Sequence, residues 1–194
     1  YYGDLYKVRE EKNFCTDAYS CEFILPQLAS NPLATVTDTP YAFLREGDRE
    51  NHYVYLQDVY SFANDWQLTA GLRYDSYSDF GSTVNPRLAV VWSTSKDLTT
   101  KFLYGEAFRA PAFVETKAQN NPAALGNPEL KPETLRSYEI VFDYQPRYDL
   151  GVVFNTFYYE WDDIILFVPD QEGSISTAQN FGRQTGVGFE IEAQ

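Results

Sequence analysis

The chain has 194 residues, with 15 Lys and Arg against 28 Asp and Glu, a formal charge of −13 at pH 7. That balance excludes nucleic-acid binding, which needs clustered cations to meet phosphates. A composition 44% apolar and 17% aromatic, with 16 Tyr and 14 Phe, is too rich in packing groups for a disordered acidic tail, and no stretch reaches the roughly 20 apolar residues of a membrane helix, so any membrane role is peripheral or carried by strands.

Residues 1–51 read mostly as loop. The chain opens at Tyr1 without Met or an apolar leader, so no secretion signal is read, and Tyr1–Val8 is a candidate tail of a further strand. Cys15 and Cys21 lie in a polar stretch with no His nearby to complete a zinc site. They read as a local disulfide of an oxidising compartment, against the alternative of two free thiols.

From residue 52 onward the chain reads as strands, over 52–62, 66–75, 86–93, 98–106, 137–145, 150–161 and 184–192. In the second run Trp66, Leu68, Ala70, Leu72 and Tyr74 share one face, and Gln67, Thr69, Gly71, Arg73 and Asp75 the other. Tyr138, Ile140, Phe142 and Tyr144 alternate in the same way with polar residues, Val141 being one lapse, as do Val187, Phe189 and Ile191. The 150–161 run carries aromatics on both faces, so its faces are not assignable from periodicity.

The connections alternate. Ala63-Asn64-Asp65, Thr94-Ser95-Lys96-Asp97 and Pro146-Arg147-Tyr148-Asp149 are short, whereas Ser76–Asn85, the segment after Glu106, and Asp162–Gly182 are long. Antiparallel strands so joined place all tight turns at one end and all long loops at the other, as in an outer-membrane barrel. Ten residues at about 3.3 Å each, tilted about 45°, rise roughly 23 Å, close to the apolar band of such a membrane. Tyr60, Trp66, Tyr74, Trp92, Tyr104, Tyr138 and Tyr144 near strand ends suit its aromatic girdles. A soluble β-sandwich alternates too, but gives no reason for the loop asymmetry.

Catalytic patterns are weak. His52 is the one histidine, at a strand start, and there is no HExxH, GxSxG or glycine-rich phosphate loop, so the chain does not read as an enzyme. Asp162, Asp163, Asp170 and Glu172 could hold calcium, but without a specifying spacing they read as an acidic loop. No metal or cofactor is assigned.

The long loop carries two boxes, Phe108-Arg109-Ala110-Pro111 and Gly126-Asn127-Pro128-Glu129-Leu130-Lys131-Pro132-Glu133-Thr134. Prolines 111, 122, 128 and 132 stiffen it, and Gly126 can adopt a positive φ. Together with YGEAFRAPAFVE, NNPAALGNPELKPETLRSYEIVFDY, FNTFYYEWDDII and AQNFGRQTGVGFEIEA, these boxes resemble the barrel of TonB-dependent outer-membrane receptors, from about residue 52 to the end. YVYLQDVYSFANDWQLTAGLRYDSY and NPRLAVVW are similar to the strands preceding them in that family.

The resemblance implies an all-β antiparallel transmembrane barrel of 22 strands in a Gram-negative outer membrane. It also implies a plug in the barrel, energy delivered through the TonB complex, and lipid and lipopolysaccharide around the wall. Residues 1–194 would supply seven or eight of those strands. The plug and the TonB-contacting segment are expected outside this stretch, and strands are expected beyond Glu192-Ala193-Gln194. Haem receptors of the family place a ligating His between the two boxes, and residues 112–126 here contain none, so a ferric siderophore is the expected ligand, with cobalamin, haem and glycans as alternatives. Arg73, Tyr104, Arg109, Lys117 and Arg136 are the candidate contacts, as groups able to hold an oxygen-rich anionic chelate. The alternative for Arg109 and Arg136 is pairing with Glu106, Glu115, Glu133 or Glu139, or with lipopolysaccharide phosphates. A passive porin and a soluble carbohydrate-binding sandwich are the remaining readings.

Overall fold

The computed structural model describes the backbone of residues 2–6, 12–14 and 33–35, and residues 42–121, 124–169 and 175–194 in full. Cys15 and Cys21 lie outside the described residues. In chain order the elements are β1 (Tyr2–Tyr6), β2 (Lys12–Phe14), β3 (Leu33–Thr35), β4 (Gly47–Ala63), β5 (Trp66–Tyr77), β6 (Gly81–Ser95) and β7 (Leu98–Arg109). There follow the short helix α1 (Phe113–Lys117), β8 (Ala124–Leu125), β9 (Glu133–Arg147), β10 (Leu150–Pro169) and β11 (Ser176–Ala193). β4, β5, β6, β7, β9, β10 and β11 form one antiparallel meander, β1 pairs with the start of β4, and β8 lies parallel against the start of β11.

Several strands run further than the alternation predicts. Ser76–Asn85 is largely ladder, with Tyr77 paired to Gly81 across the tight turn Ser78–Phe80, and Gly81 takes φ +97° to close it. β10 continues past Trp161 to Pro169 through a bulge where Asp163 has φ 56°. Tyr, Thr and Val suit extended backbone, and a continued ladder satisfies peptide groups that a loop would leave to water. The loop end of the sheet therefore consists of projecting hairpins as well as loops.

Register fixes the faces. Leu56, Leu72 and Pro86 lie in one row, and Leu68, Val90, Phe102, Ile140, Thr156 and Phe189 in another, all on one side. Leu72 is 50% exposed, Phe142 39% and Phe189 68%, so no second sheet covers this face among the described residues. That removes the sandwich, in which these side chains would be shielded. Near the tight turns Trp66 stacks on Trp92 with ring centroids 4.9 Å apart, and Phe62 packs on Trp66 at 5.9 Å, an aromatic edge to the apolar band.

β10 explains its own ambiguous pattern. Phe154, Thr156 and Tyr158 point outward, while Phe157, Tyr159 and Trp161 point to the opposite, lumen side. There Tyr159 and Phe157 lie over Gly186 and Gly188. A Cβ at Gly186 would come 2.3 Å from Tyr159, and one at Gly188 2.5 Å from Phe157. Missing side chains on β11 make room for large ones on β10.

Candidate ligand-binding face

The two sequence boxes meet at the loop end through one ion pair. Arg109, at the last position of β7, donates from Nε to Glu133 Oε2 at 2.8 Å and from Nη2 to Oε1 at 2.5 Å, and both its terminal nitrogens donate to Glu115 at 3.0 Å. Glu133, at the first position of β9, is 2% exposed and also accepts from Trp161 Nε1 at 3.1 Å and the Ile165 amide at 2.8 Å. Burial pushes the Glu133 pKa up, but hydrogen bonds from Arg109, the Ile165 amide and Trp161 outweigh it, and the carboxyl lies below its ordinary value. The same bonds to Glu133 and Glu115 raise the pKa of Arg109.

Around this clamp the loop is a packed body. Glu115 reaches back to the Ala112 amide at 2.7 Å, closing the start of α1. Gly126 does not use a positive φ, as the residue type allowed; its role is close approach. A Cβ there would lie 2.7 Å from the Ala118 nitrogen, and the Gly126 amide donates to the Ala118 carbonyl at 2.8 Å. Leu130 forms a small core with Ile165 and Ala178, and Asn180 bonds both the amide and the carbonyl of Lys131, at 2.8 and 2.9 Å. Motif residues Phe108, Ala110, Pro111, Asn127, Pro128, Leu130, Lys131 and Pro132 thus lie in or beside a scaffold joining β7, β9, β10 and β11.

A second anchor ties the loop to β4. Arg49, 8% exposed, donates to Asp79 and to the Pro111 carbonyl, both at 2.7 Å, with its guanidinium 4.9 to 6.0 Å from the ring centroids of Phe113, Phe80 and Tyr77. Backbone bonds join Arg45 to Lys117 and Gln119 to Phe43, so segments 42–45 and 117–120 run side by side.

Below the loop the lumen face opens into a pocket of about 490 Å³, lined by Tyr53, Tyr55, Arg73, Asn85, Arg87 and Phe108 among others. Arg73 lies 4.6 Å from the Tyr53 ring centroid and is bound to fully buried Asp75, Nε to Oδ2 at 2.8 Å and Nη2 to Oδ1 at 2.7 Å. A second lumen groove, over β9–β11, is lined by Ser137, Glu139, Asn155, Phe157, Trp161 and Glu190.

The expected contacts separate. Arg73 faces the lumen pocket. Arg109 is spent on the clamp. Lys117 ends α1, with its stem against Gly47, where a Cβ would lie 3.0 Å from Cε. Tyr104 and Arg136 do not face the lumen, because Tyr104 pairs with Leu88 and Tyr138 in an outward row and Arg136 pairs with Glu106 and Glu160 in the next. The Tyr104 hydroxyl donates to Glu106, and Arg136 approaches Glu106 at 3.7 Å, Glu160 at 3.8 Å and Asp162 at 3.3 Å. Arg183 also holds Asp162, at 3.0 Å, and no cation-holding group of three acidic, His or Cys side chains occurs among the described residues. Arg49, Arg87, Tyr53, Tyr55 and Asn180 were not singled out by sequence reasoning. Strand parity alone, extended through 81–95, puts Arg87 on the side of Arg73.

A family model described as TonB dependent receptor-like, beta-barrel matches residues 21–194. The chain belongs to this family. Its members are receptors and transporters of the Gram-negative outer membrane, and that is where this wall resides. The chain is 34% identical over 104 residues to the vitamin B12 transporter BtuB of Photobacterium profundum, covering 54% of this chain and 16% of that protein. It is 29% identical over 119 residues to an iron-regulated outer membrane virulence protein of Vibrio cholerae, covering 59% and 18%. It therefore spans less than a fifth of the length of these curated relatives. The fold matches the siderophore receptor PirA of Pseudomonas aeruginosa with a TM-score of 0.69, at 22% identity over 82% of this chain and 33% of that one. It matches the ferric enterobactin receptor PfeA with a TM-score of 0.66, at 17% identity, over 75% and 24%.

Proposed function

We propose that this wall belongs to a receptor importing a ferric siderophore, energised by TonB through a plug held in the lumen. The observation that carries the reading is the lumen pocket beneath the clamped loop, where Tyr53 and Tyr55 accompany two arginines. Flat aromatic faces and guanidinium donors suit an oxygen-rich chelate. Within this reading Arg73 and Lys117 are contacts at the mouth, and Arg109 holds the loop in place. Residues 52–194 supply hairpins with extracellular loops.

The second lumen groove bears on the plug. Glu190 lies beside Asn155 in the ladder and Glu139 beside Phe157, and Asn155 Oδ1 is buried without a hydrogen-bond partner among the described residues. A surface made of acceptors calls for donors, so the plug presents basic groups here. Outward-facing Arg136 and Arg183 border the lipopolysaccharide headgroups. The 34% identity to a vitamin B12 transporter favours cobalamin as the second reading.

Uptake by the full-length receptor under iron limitation, with ferric siderophores, haem and cobalamin compared, tests the proposal. Saturable, TonB-dependent uptake of a ferric siderophore is expected. Import of cobalamin alone overturns the ligand, and ion conductance without any TonB-dependent uptake identifies a passive porin instead.

A further inference from the structure

One row of the lumen face runs Gln57, Gly71, Arg87, Gly105 and Ser137, paired in register across five strands, and its Gly71 and Arg87 line the pocket. Arg87 thus has a glycine on either side. Neither glycine is demanded by the wall. A Cβ at Gly71 would meet its nearest neighbours at 3.6 to 3.7 Å, one at Gly105 only Ser137 Oγ at 3.8 Å, and neither residue has a left-handed φ. The two missing side chains leave Arg87 without a cross-strand side-chain neighbour, and Gly71 opens the pocket beside it.

That side chain is the pocket's one uncompensated charge among the described residues. Arg73 is neutralised by Asp75, and Glu106, on the pocket's edge, is held by Tyr104 and Arg136. Arg87 is exposed, with no described hydrogen bond or ion pair. We propose that Arg87 reads the charge of the imported chelate, binding an anionic oxygen, carboxylate or phenolate, of a ligand lying flat over Gly71 and Gly105 beside Tyr55. This rests on the siderophore reading and adds the residue that sets charge preference.

The test uses the full-length receptor with a trianionic ferric tris-catecholate and a neutral ferric tris-hydroxamate as probes, read by intrinsic fluorescence quenching. Arg87→Gln is expected to weaken the trianionic chelate about tenfold or more and the neutral one by less than about twofold, as loss of a charge-assisted hydrogen bond implies. Arg87→Lys, which keeps the charge, recovers part of the loss. Equal losses for both probes, or no loss for the anionic one, overturn the assignment. So does unchanged binding with a lowered melting temperature, which would place Arg87 against the plug. If the unaltered receptor binds only the neutral probe, the charge-reading role falls and the import reading stands; if it binds neither probe, both fall.

Discussion

Two arginine-centred clusters sit at the loop end of this wall, on opposite sides of a burial boundary. In one, Arg109 clamps Glu133, whose side chain is 2% exposed and which accepts two further donors from β10. In the other, Arg136 and Arg183 share Glu160 and Asp162 on the outward face, carboxylates that are 21% and 24% exposed. The outward cluster has four ion pairs against two, and Arg109 is 44% exposed, as open as Arg136, so the clusters differ at the carboxylates: water reaches Glu160 and Asp162 and is kept from Glu133. Burial, not the number of contacts, decides what each cluster holds together, because an unpaired charge costs most where water cannot reach it.

The strongest way to break that contrast is Glu133→Ala. It leaves the Trp161 indole and the Ile165 amide without their acceptor while Arg109, half open to water, keeps Glu115, and a loss of about 1–3 kcal/mol for each stranded donor is expected. In the full-length receptor this should appear as protease cleavage and fast hydrogen exchange across residues 107–132, with the strands below still protected. A loss below about 1 kcal/mol would erase the distinction between the clusters.

Acid sharpens the same contrast less drastically. The Glu133 pKa is lower in the folded protein than in the unfolded chain, so the unfolded state binds more protons as pH falls toward the folded value, and stability falls with it. The contribution is complete well above the ordinary glutamate value of about 4.3 and is lost below it. Protection of the loop should hold from neutral pH to about pH 5 and decline below about pH 4. Glu133→Gln, less stable at neutral pH, should remove that decline.

Much of this wall was legible in residue order because one physical pattern dominates it. A strand in lipid must alternate, and Trp66 to Asp75 does so without a lapse. β10 was illegible in faces because the room for Phe157 and Tyr159 is made by Gly186 and Gly188 on another strand. Periodicity within one strand cannot report a vacancy in its neighbour. Among the candidate contacts, Arg73 needed only its own parity. Arg136 and Tyr104 lie by their parity on the face opposite Arg73, which proximity to the loop end does not reveal. The motif boxes identified the family, but their chemistry is structural: Arg109 and Glu133 are 24 positions apart and meet only through adjacent strands.

The smallest effect belongs to Arg136→Ala. Its guanidinium approaches Glu106 and Glu160 at 3.7 and 3.8 Å, distances of ion pairing without a close hydrogen bond, and only Asp162, at 3.3 Å, is nearer. Removal leaves Glu160 and Asp162 with Arg183, and Glu106 with the Tyr104 hydroxyl, so no carboxylate is stranded. A change below about 1 kcal/mol in the detergent-solubilised receptor is the expected outcome, and salt should shrink it further. A larger loss in lipopolysaccharide-containing membranes than in detergent would show that the headgroups, not the carboxylates, are the partners that matter for Arg136. The outward cluster would then act as a lipid contact whose apparent ion pairs only hold the arginines ready, and burial by headgroups would restore the rule that separates Glu133 from it.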